Sequence, residues 1–198
     1  MHGLVNRALQ CFLRDTFGPQ RWRDIAATAG APPDGFEPML RYPPELTRAV
    51  LATAAQGLQR PEDVLLEDLG TYLVSHPSRE RLRRLLRFGG VEFSDFLHSL
   101  DDLPERCRLA VPDLDFPQLE LEELRTGHFV LIVHGPWPEF APVMVGVLRA
   151  MADDYGALAL PELVGGGPQA DGTQRITIDV FDPRFAAGRR FDLSAGPA

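Results

Sequence analysis

The apolar pattern of this chain changes period once, across Phe93–Pro117, and that change constrains the fold more than any other feature. The stretch reads FSDFLHSLDDLPERCRLAVPDLDFP. It opens at helical spacing, with Phe96, Leu97, Leu100 and Leu103 on one stripe. Pro104 then falls where a continuous helix needs a backbone N–H, and Pro112 and Pro117 close the segment. Apolar runs before it have helical period, while those after it alternate or are short and β-branched. Helices first and strands later predict an α+β fold.

The helices are legible one by one. Leu4, Val5, Ala8, Leu9, Phe12 and Leu13 make a stripe over residues 3–16. Gly18 ends it, Pro19 starts a second helix, and Gly30 stops that one. A third is predicted over residues 45–57. A fourth starts at Pro61 and ends near Ser75, because Pro77 disfavours helix at the residue before it. Ser78 is placed as N-cap of a helix over 79–87, whose exposed face carries Arg79, Arg81, Arg83, Arg84 and Arg87. That face reads as a solvated surface or as a dock for an acidic partner. Gly89-Gly90 stops it, and the Phe93–Pro117 helix begins near Ser94.

Beyond Pro117, Leu119, Leu121 and Leu124 interleave with glutamates as a half-buried strand. Phe129–Val133 reads as a central strand, with Thr126-Gly127 as the turn between them. Helical period returns over Phe140–Tyr155. Strands over 157–164 and 174–181 follow, joined through Gly165-Gly166-Gly167 and Asp171-Gly172. The expected organisation is a single domain over 1–182. Its helical part covers about 1–112, and its sheet part, about 118–182, holds a four-stranded antiparallel sheet with one inserted helix. Residues 183–198 form a short tail.

A formal net charge of −8, spread along the chain, disfavours nucleic acid and anionic membrane as partners. The two cysteines, Cys11 and Cys107, are too few for a disulfide scaffold and too far apart for a zinc knuckle. No run of about 18 apolar residues predicts a membrane span. The charged N-terminus lacks a signal-peptide core, so a cytoplasmic protein is expected. No G-x-S-x-G, Walker loop, G-x-G-x-x-G or H-E-x-x-H occurs, and a non-enzymatic role is expected.

Several blocks together resemble the heme nitric oxide/oxygen binding family, H-NOX. The opening Met1-His2-Gly3-Leu4-Val5-Asn6-Arg7-Ala8-Leu9, followed by Phe17-Gly18 and Trp22, is similar to that family's start. Asp68-Leu69-Gly70-Thr71-Tyr72-Leu73 resembles its Phe-Gly-x-x-Phe element. Phe96-Leu97-His98-Ser99-Leu100-Asp101-Asp102-Leu103 resembles its Phe-Leu-x-x-Leu-Asp-x-Leu helix, and Pro112 and Pro117 match its Tyr-Pro-x-x-x-x-Pro segment. The resemblance covers roughly residues 1–182. It implies heme held between a helical lobe and a sheet-bearing lobe, and nitric oxide as ligand. It also implies signalling in trans to a diguanylate cyclase or a histidine kinase, as in bacterial stand-alone members, since the chain leaves no room for an output domain.

Two signatures depart from the family pattern. Pro104 stands where the family has its iron-ligating histidine, and proline offers no side-chain ligand. The Tyr-x-Ser-x-Arg slot, which binds the heme propionates, is filled by Gly135, Trp137 and Glu139. A carboxylate there repels a propionate by about 1 kcal/mol in water and about 4 near a partly buried surface, at a separation of about 4 Å. The apolar lining the resemblance implies is kept in Leu4, Val5, Leu73, Leu97, Leu100 and Pro117. The nearest substitute ligands are His98, six residues before Pro104, and Cys107, three after it. In an unbroken helix His98 points about 120° away from position 104. A helix that restarts at Pro104, capped by Asp101 or Asp102, re-aims it. His98 also reads as a surface histidine, and Cys107 as a small apolar thiol. His2, His76 and His134 are further histidines with ordinary structural readings. Two functions are therefore expected: a heme sensor with a substitute ligand, or a heme-free regulatory module acting through its surface.

Overall fold

The computed structural model describes residues 1–165 and 172–181, and of Arg79 and Arg81 the backbone alone. Four helices come first: α1 Gly3–Phe17, α2 Pro19–Ala29, α3 Pro44–Leu58 and α4 Glu62–Ser75. Their ends follow from their sequence. Pro19 and Pro44 sit in first turns, and Gly30 caps α2 in the left-handed region at φ 72°. These helices enclose one apolar cluster, built on Phe12, Leu13, Trp22, Phe36, Val50 and Leu65.

A single 3-10 turn, Pro77–Arg79, leads into α5 Glu80–Arg87. The cap there is the His76 side chain, which accepts from the Ser78 N–H; Ser78 itself lies inside the turn. Arg83 and Arg87 both pair with Asp154, at the far end of the helix Phe140–Tyr155, and Arg84 pairs with Glu80. Of the predicted arginine face, the described side chains thus have intramolecular partners.

The Phe93–Pro117 stretch is two helices, α6 Phe93–His98 and α7 Leu103–Ala110. Glu92 and Asp95 form a capping box that starts α6. The break spans Ser99–Asp102, and Pro104 takes a first-turn position of α7, where its missing N–H costs nothing. Neither aspartate side chain caps α7. Asp101 accepts from the Leu121 N–H at 2.8 Å, tying the break to the sheet. Arg106 closes the other side, donating Nη2 to the Ser99 carbonyl at 2.8 Å.

The sheet contains β1 Gln118–Arg125, β2 His128–His134, β3 Leu158–Val164 and β4 Thr173–Phe181, in the order β1-β2-β4-β3, antiparallel throughout. Helix α8, Phe140–Tyr155, is inserted between β2 and β3. An irregularity between Glu123 and Arg125 shifts the register, and Leu124, predicted on the buried face, is 66% exposed. The second apolar cluster joins this sheet, α8, α6 and α7 through Leu97, Leu100, Leu131, Leu148, Met151 and Ile176. The predicted Gly165–Gly167 loop and the tail lie wholly or largely outside the described residues.

Helices α4 and α8 join the two clusters at a glycine seam. A Cβ on Gly70 would fall under 3.0 Å from the Val143 carbonyl, and one on Gly146 equally close to the Glu67 carbonyl. Only glycine lets the two backbones approach in this way.

Candidate functional site

The residues singled out in the sequence divide across the junction of the two apolar clusters: Leu97 and Leu100 belong to the sheet-side cluster, Leu73 packs against the helical one, and Leu4 and Val5 belong to neither. Leu97 and Leu100 have no exposed surface, and Pro104 and Pro117 are buried. Leu4 is 39% exposed, and Val5 and Leu73 are half-buried. On the α6 side, then, no space wide enough for a water molecule touches Leu97 or Leu100. A prosthetic group of heme size needs a pocket of about 300 Å³ or more. A cavity of ≈ 120 Å³ does occur elsewhere, lined by Arg21, Asp24, Thr28 and Thr53 between α2 and α3.

The slot that follows β2 is closed from both sides. A Cβ on Gly135 would meet the Pro117 Cβ at 3.1 Å, so a side chain there would press on Pro117. Phe116 and Phe140 pack edge to face at 4.9 Å beside it. Glu139 accepts from Arg48 Nε of α3 at 2.9 Å, while its second carboxylate oxygen is buried without a partner. Arg41, in the segment between α2 and α3, donates to Asp115 at 2.7 Å and to the Asp113 carbonyl at 2.6 Å. With Arg149 of α8, which pairs with Glu67 of α4, these ion pairs bridge the helical lobe to the sheet lobe. Arg41 and Arg48 were missed in the sequence. The only signal was indirect: an acid at position 139 wants a cation, and nothing local says which.

Each histidine is engaged away from the junction. His98 is exposed, with Nε2 3.7 Å from Glu123 and its ring edge-on to Phe129 at 5.8 Å. The break at Ser99–Asp102 leaves it facing the edge of the sheet. His2 is buried, and its Nδ1 accepts from the Leu4 N–H at 3.2 Å. His76 stacks on Tyr72 at 4.7 Å and shares a hydrogen bond with Ser78. His128 pairs with Asp179 at 2.5 Å and His134 with Glu120 at 3.2 Å. Cys107 is half-buried against the sheet-side cluster. Burial pushes its thiol above the usual range, and the Arg106 charge opposes this only in part. A thiol held protonated is a poor metal ligand. Among the described residues no three His, Cys, Asp or Glu side chains are grouped to hold a metal ion. Nor is any described helix long and apolar enough to cross a membrane.

A two-lobed α+β fold, with a short helix packed between sheet and helical lobe, defines the class. The family model described as Haem-NO-binding matches residues 2–158, and the chain belongs to that family, the heme-binding gas-sensor domains found in soluble guanylate cyclases. Among curated relatives, the soluble guanylate cyclase gcy-31 of Caenorhabditis elegans is 26% identical over 128 residues, covering 64% of this chain and 18% of the relative. Soluble guanylate cyclase 89Db of Drosophila melanogaster is 20% identical over 213 residues, covering 100% of this chain and 32% of the relative. The chain thus spans at most about a third of the length of these two relatives. Solved structures agree on the fold. A Cs H-NOX variant superposes with TM-score 0.78 at 14% identity, covering 93% of this chain and 99% of that one. The Fe(II) unliganded H-NOX protein from K. algicida gives 0.77 at 14% identity, covering 92% and 97%.

The residues present do not fit the heme that the family binds. Pro104, at the position that the resemblance assigns to the iron ligand, offers no side-chain donor, Leu97 and Leu100 have no exposed surface, and Glu139, in the slot that the resemblance assigns to the propionate contact, is already paired with Arg48.

Proposed function

We propose that this chain is a heme-independent regulatory module of the H-NOX fold that works through protein–protein contacts. The observation that carries this reading is the absence of exposed surface on Leu97 and Leu100, the helix face on which the family's prosthetic group rests. Apolar side chains occupy that face instead of a porphyrin: Leu97 and Leu100 are packed into the cluster of the sheet and α8. The Arg48–Glu139 pair replaces the arginine–propionate contact with the polarity reversed, the cation coming from the helical lobe and the acid from the sheet lobe. Fixed lobes present a fixed surface. The output is a contact with an effector, and the family resemblance names a diguanylate cyclase or a histidine kinase as its type.

A second reading has the Haem-NO-binding family match in its favour. In it, heme binds through His98 or Cys107, and nitric oxide is the ligand. Both readings are tested by purifying the protein with heme supplied and recording its absorption. The expected result is no stoichiometric Soret band in the native protein, and none in Pro104→His, because Leu97 and Leu100 fill the space. A stoichiometric band that shifts with nitric oxide and disappears in His98→Ala or Cys107→Ala would establish the second reading. A stoichiometric band in Pro104→His alone would overturn the filled-junction argument.

A further inference from the structure

Helix α8 covers one face of the sheet, where Ile176 and Ile178 of β4 and the half-buried Ala159 and Leu163 of β3 join the apolar cluster. Alternate residues point the other way. On that opposite face β3 carries Leu158, Leu160, Glu162 and Val164, and Phe181 of β4 lies directly across from Leu158. Leu158 is 68% exposed, Phe181 49%, Leu160 44% and Val164 43%. Two strands over, the same face carries Val130 and Ile132 of β2, which are buried, so the exposed apolar surface of this strip lies on β3 and the end of β4.

The charges on this face are mainly acidic. Glu120 and Glu122 stand opposite Ile132 and Val130, and Glu162 and Asp179 lie in the rows beyond, with Arg175 among them. A strip of exposed aliphatic and aromatic side chains bordered by carboxylates is complementary to a helix with one apolar and one basic face. Addition of a strand is disfavoured, because Pro161 interrupts the N–H groups of edge strand β3 and the register break at Glu123/Arg125 disturbs edge strand β1. A second copy is disfavoured too. A two-fold dimer through this face would set carboxylates against carboxylates in a chain of net charge −8.

We propose that the exposed β3 and β4 part of this sheet face is the docking surface for a basic amphipathic helix of an effector protein, which rests on the reading of the chain as a module acting through protein contacts. Leu158, Leu160 and Phe181 supply the apolar anchor sites, and Glu120, Glu122 and Glu162 set the orientation and the charge preference of the partner.

The test titrates the 198-residue chain with a synthetic amphipathic Leu/Lys helical peptide and with its Leu/Glu counterpart, at low and at high salt. The expected result is saturable binding of the Leu/Lys peptide alone, weakening as salt is added. Leu160→Glu should reduce the affinity about tenfold or more with an unchanged circular dichroism spectrum, while Met39→Glu, on the helical lobe and 81% exposed, leaves it unchanged. Charge-reversed Glu162→Lys should weaken binding at low salt and converge on the native value at high salt. The proposal is overturned if Leu160→Glu binds as the native protein does, or if the Leu/Glu peptide binds equally well. A concentration-dependent dimer in sedimentation that Leu160→Glu abolishes would give the face to a second copy and overturn the proposal as well. The peptide titration reads the sheet face and the heme titration reads the junction, so one can fail without the other.

Discussion

At positions 70 and 146 a hydrogen atom is all that the space allows. Both glycines sit in helix interiors, where glycine is intrinsically poor, and both are required by the backbone contact of α4 with α8. Gly70→Ala and Gly146→Ala are each expected to lower stability by about 2–3 kcal/mol in urea denaturation. Gly57 is also helical, but a Cβ added there would meet nothing within 4 Å, so it should gain up to about 1 kcal/mol as alanine. Protonation is set locally as well. Burial holds the Cys107 thiol up. Its alkylation by iodoacetamide should be slow at neutral pH and accelerate only above the ordinary thiol range. Its linkage to stability has the same sign: intact below the unfolded thiol value, lost as pH rises through the raised folded one. Asp15 shows the opposite case. Burial works to raise its carboxyl, but the Tyr72 hydroxyl at 2.7 Å and the neighbouring Arg14 prevail and hold it below the usual range. That contribution is present above the unfolded carboxyl value and lost as pH falls through the depressed one, so Tyr72→Phe should move acid unfolding to higher pH.

At the scale of elements, the Phe93–Pro117 segment shows why a proline can occupy the family's ligand position without wrecking the helix. A continuous helix would lose about 3 kcal/mol at Pro104. Two helices lose little, because Pro104 stands in the first turn of α7. Pro104→Ala should therefore change stability by less than about 1 kcal/mol. Arg106→Met should cost more, about 1–3 kcal/mol, because the Ser99 carbonyl loses a charged donor. Both are read by thermal or urea unfolding. Most element boundaries were legible to within two residues, because prolines and glycines mark them with local chemistry: Pro19, Gly30, Pro44 and Gly156 stand at helix ends. Ser78 misled because the imidazole of His76, two residues earlier, took the capping role. Leu124 misled because it stands three residues after Leu121, and alternation in a strand sets it on the face opposite Leu119 and Leu121.

At the scale of the whole molecule, the lobes are held by the glycine seam, by apolar contacts and by ion pairs that include Arg41–Asp115, Arg48–Glu139 and Arg149–Glu67. Arg41–Asp115 is exposed and Arg48–Glu139 has its arginine exposed and its acid partly buried, so each is expected to contribute about 1 kcal/mol or less. Glu139→Gln should cost correspondingly little and reduce the salt sensitivity of unfolding, whereas Leu100→Ala should cost about 2–5 kcal/mol. If Glu139→Gln proves the more damaging, the ion pair and not the apolar contact holds the lobes. The sequence by itself determined the fold class, the order of elements and the family. Each of these is carried by residue identity or by periodicity, and neither needs long-range information. Tertiary structure alone decided that Leu97 and Leu100 are covered, that His98 faces Glu123, and that Glu139 meets Arg48. Burial, side-chain direction and charge pairing depend on which surfaces meet across tens of residues of chain. The same leucines that would line an open pocket in one packing close it in another.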